Sequence, residues 1–211
     1  MMRFIAHIIS FLFHPLLMAT FCCVLLFFGL TDTIYFVFTP IRIKLVLIIT
    51  VFSFTFLLPL LNLLVLYKLN YVSSLYLTNR RERALPLIIT AMCYFGLYYL
   101  IQDFSIWPAI KLLILGGGVS IMCAGIISIK WQISTHMIGI GGLIGVLLAI
   151  CYFMQLPILL PIALLIVLAG FIGTARLQLN AHTPAQVYVG FLVGCTIQFV
   201  LFFVAQMLIF I

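Results

Sequence analysis

Apolar residues run along this chain in blocks too long for any soluble element, and the polar residues collect where the blocks end. Seven blocks stand out, at about 4–30, 41–67, 86–102, 108–129, 136–154, 157–175 and 187–210. About 20 apolar residues in a helix cross ~30 Å of hydrocarbon, and the period-2 alternation of a transmembrane barrel is absent. The pattern predicts an all-α, polytopic transmembrane helical bundle of six or seven spans. The six-span alternative arises at 86–102, a block that is short and polar at its end, as a tilted or re-entrant element would be. Pro40, Pro86, Pro108, Pro157 and Pro184 sit near predicted starts, where a missing amide proton costs least. Arg3 ahead of an apolar run suggests a signal sequence. The run is too long for one, however, is interrupted by His14-Pro15 and shows no small-x-small cleavage site, so an uncleaved first span is expected. No linker or repeat divides the chain, and residues 1–211 are expected to form one integral membrane domain.

Composition reinforces the pattern. Hydrophobic residues make up 67% of the chain and charged residues 6%, too few to cover an aqueous surface. A net charge of +7 would suggest nucleic acid in a soluble protein. Here the basic residues are scattered at span ends, where they read as interfacial anchors or anion ligands, and no nucleic-acid partner is expected. Six Cys, at 22, 23, 93, 123, 151 and 195, lie in apolar runs without metal-ligand spacing. They read as small buried hydrophobes, and neither metal nor cofactor is expected.

Counting crossings from the N-terminus places the segments 68–86, 130–136 and 176–186 on one side of the membrane, the side that holds the N-terminus. All the unusual polar residues therefore face one compartment, however far apart they are in the sequence. Gly141 with Gly145, and Gly190 with Gly194, are small-xxx-small pairs, and Gly116 to Gly118, Gly170 and Gly173 are expected to add close contacts. The first helix carries a stripe, Arg3, His7, Ser10 and His14, expected to turn toward the bundle or the headgroups rather than to take part in catalysis. The side holding the N-terminus has seven Lys and Arg against three. Setting aside four Arg as candidate anion ligands leaves three against three, and the positive-inside rule then assigns no orientation.

Near apolar spans an Arg or a His is costly enough that function is the default reading. Ser134-Thr135-His136, Ala175-Arg176, His182 and Gln186-Val187 are such residues, and Asn79-Arg80-Arg81-Glu82-Arg83-Ala84-Leu85-Pro86 lies upstream of them. Together they resemble the type 2 phosphatidic acid phosphatase superfamily, with its patterns KxxxxxxRP, PSGH and SRxxxxxHxxxD. The resemblance covers about residues 79–194, and the Arg176 to His182 spacing is its most specific part. It implies a phosphatase-like core in which His182 is the nucleophile that forms a phosphohistidine and His136 the general acid on the leaving oxygen. Arg176 with one or more of Arg80, Arg81 and Arg83 would bind phosphate bidentately, aided by the Ser134 hydroxyl. No metal is implied, because the arginines take the role of the cation.

The chain departs from those patterns at several positions. Ile133 stands where the family has Pro, Thr135 where it has Gly, Ala175 where it has Ser, and no Lys lies seven residues before any of the three arginines. Gln186 replaces the Asp that would orient the nucleophile and stabilise its cation, which implies slower chemistry than the family's rather than none. The expectation is a membrane lipid phosphatase, an integral protein of the bacterial inner membrane, with membrane lipids as its partners. Its substrate would be phosphatidic acid, phosphatidylglycerol phosphate, an isoprenyl diphosphate or a lipid A type phosphate. The alternative is a catalytically weakened or inactive relative that binds or transports phosphate lipids or serves as a structural membrane subunit. An ion-coupled transporter would need intramembrane carboxylates, and only Asp32, Glu82 and Asp103 exist, all near predicted span ends.

Overall fold

The computed structural model describes residues 2–29, 39–75, 77, 79–104 and 107–209. Asp32 and the last residue of each of the first and seventh predicted blocks lie outside them. Helices account for the fold, with no strand among the described residues. They are α1 (Met2–Leu12), α2 (Met18–Val24), α3 (Ile41–Phe52), α4 (Leu58–Lys68), α5 (Arg80–Ile101), α6 (Pro108–Ser128), α7 (Thr135–Met154), α8 (Leu159–Gln178) and α9 (Pro184–Ile209). Seven stretches are long and apolar enough to cross a membrane, the first two each built from two helices. The protein is an all-α polytopic bundle and an integral membrane protein.

Proline accounts for both composite spans. Pro15 has no amide proton, so α1 stops at Leu12, and a 3-10 turn over Pro15–Leu17 leads into α2. Pro59 likewise cannot donate to the carbonyl of Thr55, and the second span widens into a π-helical segment, Ser53–Leu57, just ahead of it. The two irregular segments pack against each other.

The third span settles the six-or-seven alternative in favour of seven, because α5 is a full helix of 22 residues. It begins at Arg80, not near 86. Asn79 caps it, its side-chain oxygen accepting from the Arg81 amide at 3.2 Å, and Glu82 suits the positive end of the helix dipole. This charged first turn carries no apolar signal, which is why the pattern starts late. Pro86 is consequently inside the helix and buried, not at its start.

The fifth span, α7, is the hub: 67% of it is buried in the bundle, against 22% to 44% for the others. It packs most closely on α9, and the paired glycines explain how. A Cβ on Gly141 would strike the Phe191 carbonyl, and one on Gly190 would stand 2.7 Å from the Ser134 oxygen. The two small-xxx-small pairs thus face each other, backbone against backbone. The nearest neighbours of Gly173 are the side chains of Val187 and Met137, and Gly170 faces open space, contrary to the close contact expected there. Gly194→Ala is expected to cost ~1–3 kcal/mol, since its Cβ would lie 2.9 Å from the Gly142 nitrogen and closer still to the Ile138 oxygen. Thermal unfolding in detergent measures this, and an unchanged midpoint would show that the helices separate without strain.

Candidate active site

The spacing between Arg176 and His182 is set by how α8 stops and α9 starts. Asn180 adopts the left-handed conformation, with φ of 51°. The Ala181 amide then bonds back to the Arg176 carbonyl at 3.2 Å and the Asn180 amide to the Leu177 carbonyl at 3.0 Å, the paired bonds of a left-handed helix stop. Two residues on, a capping box opens α9. The Thr183 amide donates to Gln186 Oε1 at 3.0 Å, and the Gln186 amide to Thr183 Oγ1 at 3.5 Å. His182 is held between the two devices and is only 9% exposed.

The tautomer of His182 follows from its partners. A carbonyl oxygen can only accept, so Nδ1–H donates to the Gln132 oxygen at 3.0 Å, with Gln186 Oε1 a second acceptor at 3.3 Å. In the neutral ring the lone pair is therefore on Nε2. Burial, reinforced by the positive charges of Arg176 and Arg83, pushes this imidazole down to about 4, against the pull of its two acceptors. Between pH 4 and the ordinary value of 6.5 the folded ring binds fewer protons than the unfolded one. Its contribution to stability is therefore present above that window and is lost as the pH falls through it. NMR titration of the His182 ring is expected to give a midpoint of about 4, and a midpoint at the ordinary histidine value would mean that the ring is open to water.

His136 lies in the first turn of α7 and is also 9% exposed. Its Nε2–H donates to the carbonyl oxygen of Ser10 at 3.1 Å. That carbonyl belongs to the last turn of α1, where the helix leaves its oxygens without internal donors. Arg176 Nη1 donates to the hydroxyl of the same residue at 3.2 Å. Residues 10, 136 and 176 thus come together across 166 positions of sequence.

The arginines separate into two groups. Arg83 is 6% exposed and donates through Nη2 to the Ile133 carbonyl at 3.4 Å. Arg80 and Arg81 are exposed, and Arg80 donates to the Lys130 carbonyl at 3.2 Å. Of the three, Arg83 is the one the structure brings to the His182 imidazole. Ser134 precedes the first residue of α7 in a fully buried position, without a side-chain cap bond, its amide donating to the Gln186 carbonyl at 3.3 Å. Three buried polar atoms here have no hydrogen-bond partner: Arg83 Nη1, Arg176 Nε and Ser134 Oγ. Nor is there a carboxylate to neutralise the guanidiniums among the described residues. Glu82 is taken by Ser73 and Asn79, and Asp103 lies at the other end of α5.

Ser10, His14 and Gln132 belong to this cluster and were not among the expected site residues. Gln132 acts through its main chain, which leaves no trace in the residue type. Ser10 and His14 lie on the stripe of the first helix, but only they turn inward, Arg3 and His7 being exposed. Among the described residues no group of three His, Cys, Asp or Glu could hold a metal ion. No family model, no curated protein and no solved structure matches this chain.

Proposed function

We propose that the protein is a membrane lipid phosphatase resembling the type 2 phosphatidic acid phosphatases, acting on a terminal phosphate or diphosphate through a phosphohistidine. One observation carries this reading. Two arginines with buried, unpartnered N–H groups, and no carboxylate among the described residues to neutralise them, stand beside a buried imidazole whose Nε2 carries the lone pair. Uncompensated buried charge is expensive, and an anion that supplies both charge and acceptors relieves the cost. A phosphoryl group has three oxygens for such a cradle.

In this reading the phosphoryl oxygens lie on Arg83, Arg176 and the Ser134 hydroxyl. Nε2 of His182 forms a bond to phosphorus as the bond to the lipid oxygen breaks, and its electron pair leaves on that oxygen. His136 delivers a proton to the leaving group. Because Ser10 holds its Nε2–H, the proton given up comes from Nδ1, so the ring enters this step as an imidazolium with the bound phosphoryl group as its counter-charge. Water then attacks phosphorus, gives its proton to the same Nδ1, and the N–P bond returns its electrons to His182. The arginines stabilise the charge throughout.

With so little chain outside the spans, the headgroup would be delivered laterally from the bilayer. The proposed substrates are phosphatidic acid, phosphatidylglycerol phosphate, an isoprenyl diphosphate or a lipid A type phosphate, and the proposed location is a bacterial inner membrane. The test is phosphate release from a panel of these lipids by the purified protein. Release from at least one supports the enzyme. Binding of a lipid phosphate without release from any selects a phosphate-lipid binding protein, a reading favoured by the missing carboxylate near His182.

A further inference from the structure

We infer that His14 is a third imidazole of the phosphate site, a neutral hydrogen-bond donor through Nε2 whose tautomer is locked by the backbone turn that it caps. The inference rests on the phosphate-site reading above and adds a residue from a part of the chain that the resemblance does not reach.

The argument starts at Pro15. Because the helix cannot continue through it, His14 becomes the cap of the 3-10 turn, with extended backbone (φ −62°, ψ 135°). The Leu16 amide donates to His14 Nδ1 at 3.4 Å. A ring nitrogen that accepts from an N–H carries no proton of its own, so the ring proton sits on Nε2. Protonating Nδ1 as well would set two donors against each other, and the cap therefore keeps the ring neutral.

Its position is as specific as its tautomer. The His14 ring stands T-shaped to that of His136, with 5.8 Å between centroids and 73° between planes, and on another side meets Phe56 of the π segment at 6.3 Å. Ser10, four residues earlier, holds both the Nε2–H of His136 and Arg176. The break in the first span thus presents a carbonyl, a hydroxyl and an imidazole to the same cluster from α7 and α8. That cluster contains buried unpartnered donors on Arg83, Arg176 and Ser134. One more neutral donor binds an anion without adding a third charge beside the two guanidiniums. A capping role alone would call for Ser, Thr, Asn or Asp, the residues that cap best.

Two substitutions separate capping from ligand binding. In His14→Asn the side-chain oxygen takes the place of Nδ1 and keeps the cap, but nothing replaces Nε2. In His14→Gln the amide nitrogen reaches the Nε2 position, while the cap atom is lost. The readout is the dissociation constant for phosphatidic acid in detergent micelles, which does not depend on turnover, with thermal unfolding measured alongside. The expected result is affinity weakened ~10-fold or more in the Asn variant at near wild-type stability, a hydrogen bond to a charged group being at stake. The Gln variant should bind more tightly than the Asn variant although it unfolds earlier. Unchanged affinity in the Asn variant, or a loss in the Gln variant as large or larger, overturns the role of His14. Should the wild-type protein bind none of phosphatidic acid, phosphatidylglycerol phosphate, an isoprenyl diphosphate and a lipid A type phosphate, the phosphate site itself is refuted. Should it bind but release no phosphate, only the phosphatase reading falls.

Discussion

Replacing His182 by Ala is expected to lower phosphate release by ~10⁴-fold or more, because the group that bonds to phosphorus is removed outright. The same substitution deletes the bond to Gln132, which joins the loop before α9 to the segment before α7. A loss of activity could then reflect a displaced loop. His182→Asn separates the two effects, since its amide nitrogen can still donate to the Gln132 carbonyl but offers no nucleophile. Both variants should be equally inactive, and only the Ala variant should unfold appreciably earlier. Turnover by the Asn variant within tenfold of wild type would eliminate His182 as the nucleophile.

Arg83→Met is expected to move stability and function in opposite directions. Arg83 is 94% buried by its 6% exposure, one of its donors has no partner, and no carboxylate neutralises it among the described residues. Replacing such a charge with an apolar side chain of similar length is expected to stabilise the ligand-free protein by ~1–3 kcal/mol. Binding of a lipid phosphate should weaken by ~100-fold, as when one partner of a buried charge pair is removed. Thermal unfolding with and without phosphatidic acid measures both effects, and the order should invert: the variant melts later alone and earlier with ligand. Arg81→Met, on the exposed arginine next to the same helix start, should change neither. Destabilisation of the ligand-free protein by Arg83→Met would mean that the guanidinium is structural and that its bond to Ile133 outweighs its burial.

The spans were legible because hydrocarbon thickness imposes a length on apolar runs, and the glycine pairs because close helices need small residues at regular steps. Where the chain departed from the pattern, the cause was local. The charged turn that opens α5 is helical through its cap and its dipole, neither of which hydropathy senses. Convergence at one end of the bundle followed from counting crossings. Which of three neighbouring arginines turns inward depended on the rotation of α5, set by the packed face that runs from Arg83 through Pro86, Thr90, Tyr94 and Leu97. Gln186 stands where the resemblance wants a carboxylate, and its Oε1 does accept from the His182 ring at 3.3 Å. The same oxygen completes a capping box, a signal present in Thr183-Pro184-Ala185-Gln186, and the nearer acceptor for His182 is a carbonyl. No reading of side chains could have located a partner that every residue possesses.

The left-handed stop after α8 and the box that opens α9 leave no slack in the chain between Arg176 and His182. Leu177 packs against the buried cluster of Met137, Ile172 and Val187, Asn180 must keep its left-handed conformation, and the residue count between the two devices cannot change. One added residue would break the paired bonds of the stop or the spacing to the box, and His182 would lose its fixed position relative to Arg176. A stretch that looks like an ordinary surface connection should therefore accept no insertion, behaving less like a tether than like a ruler.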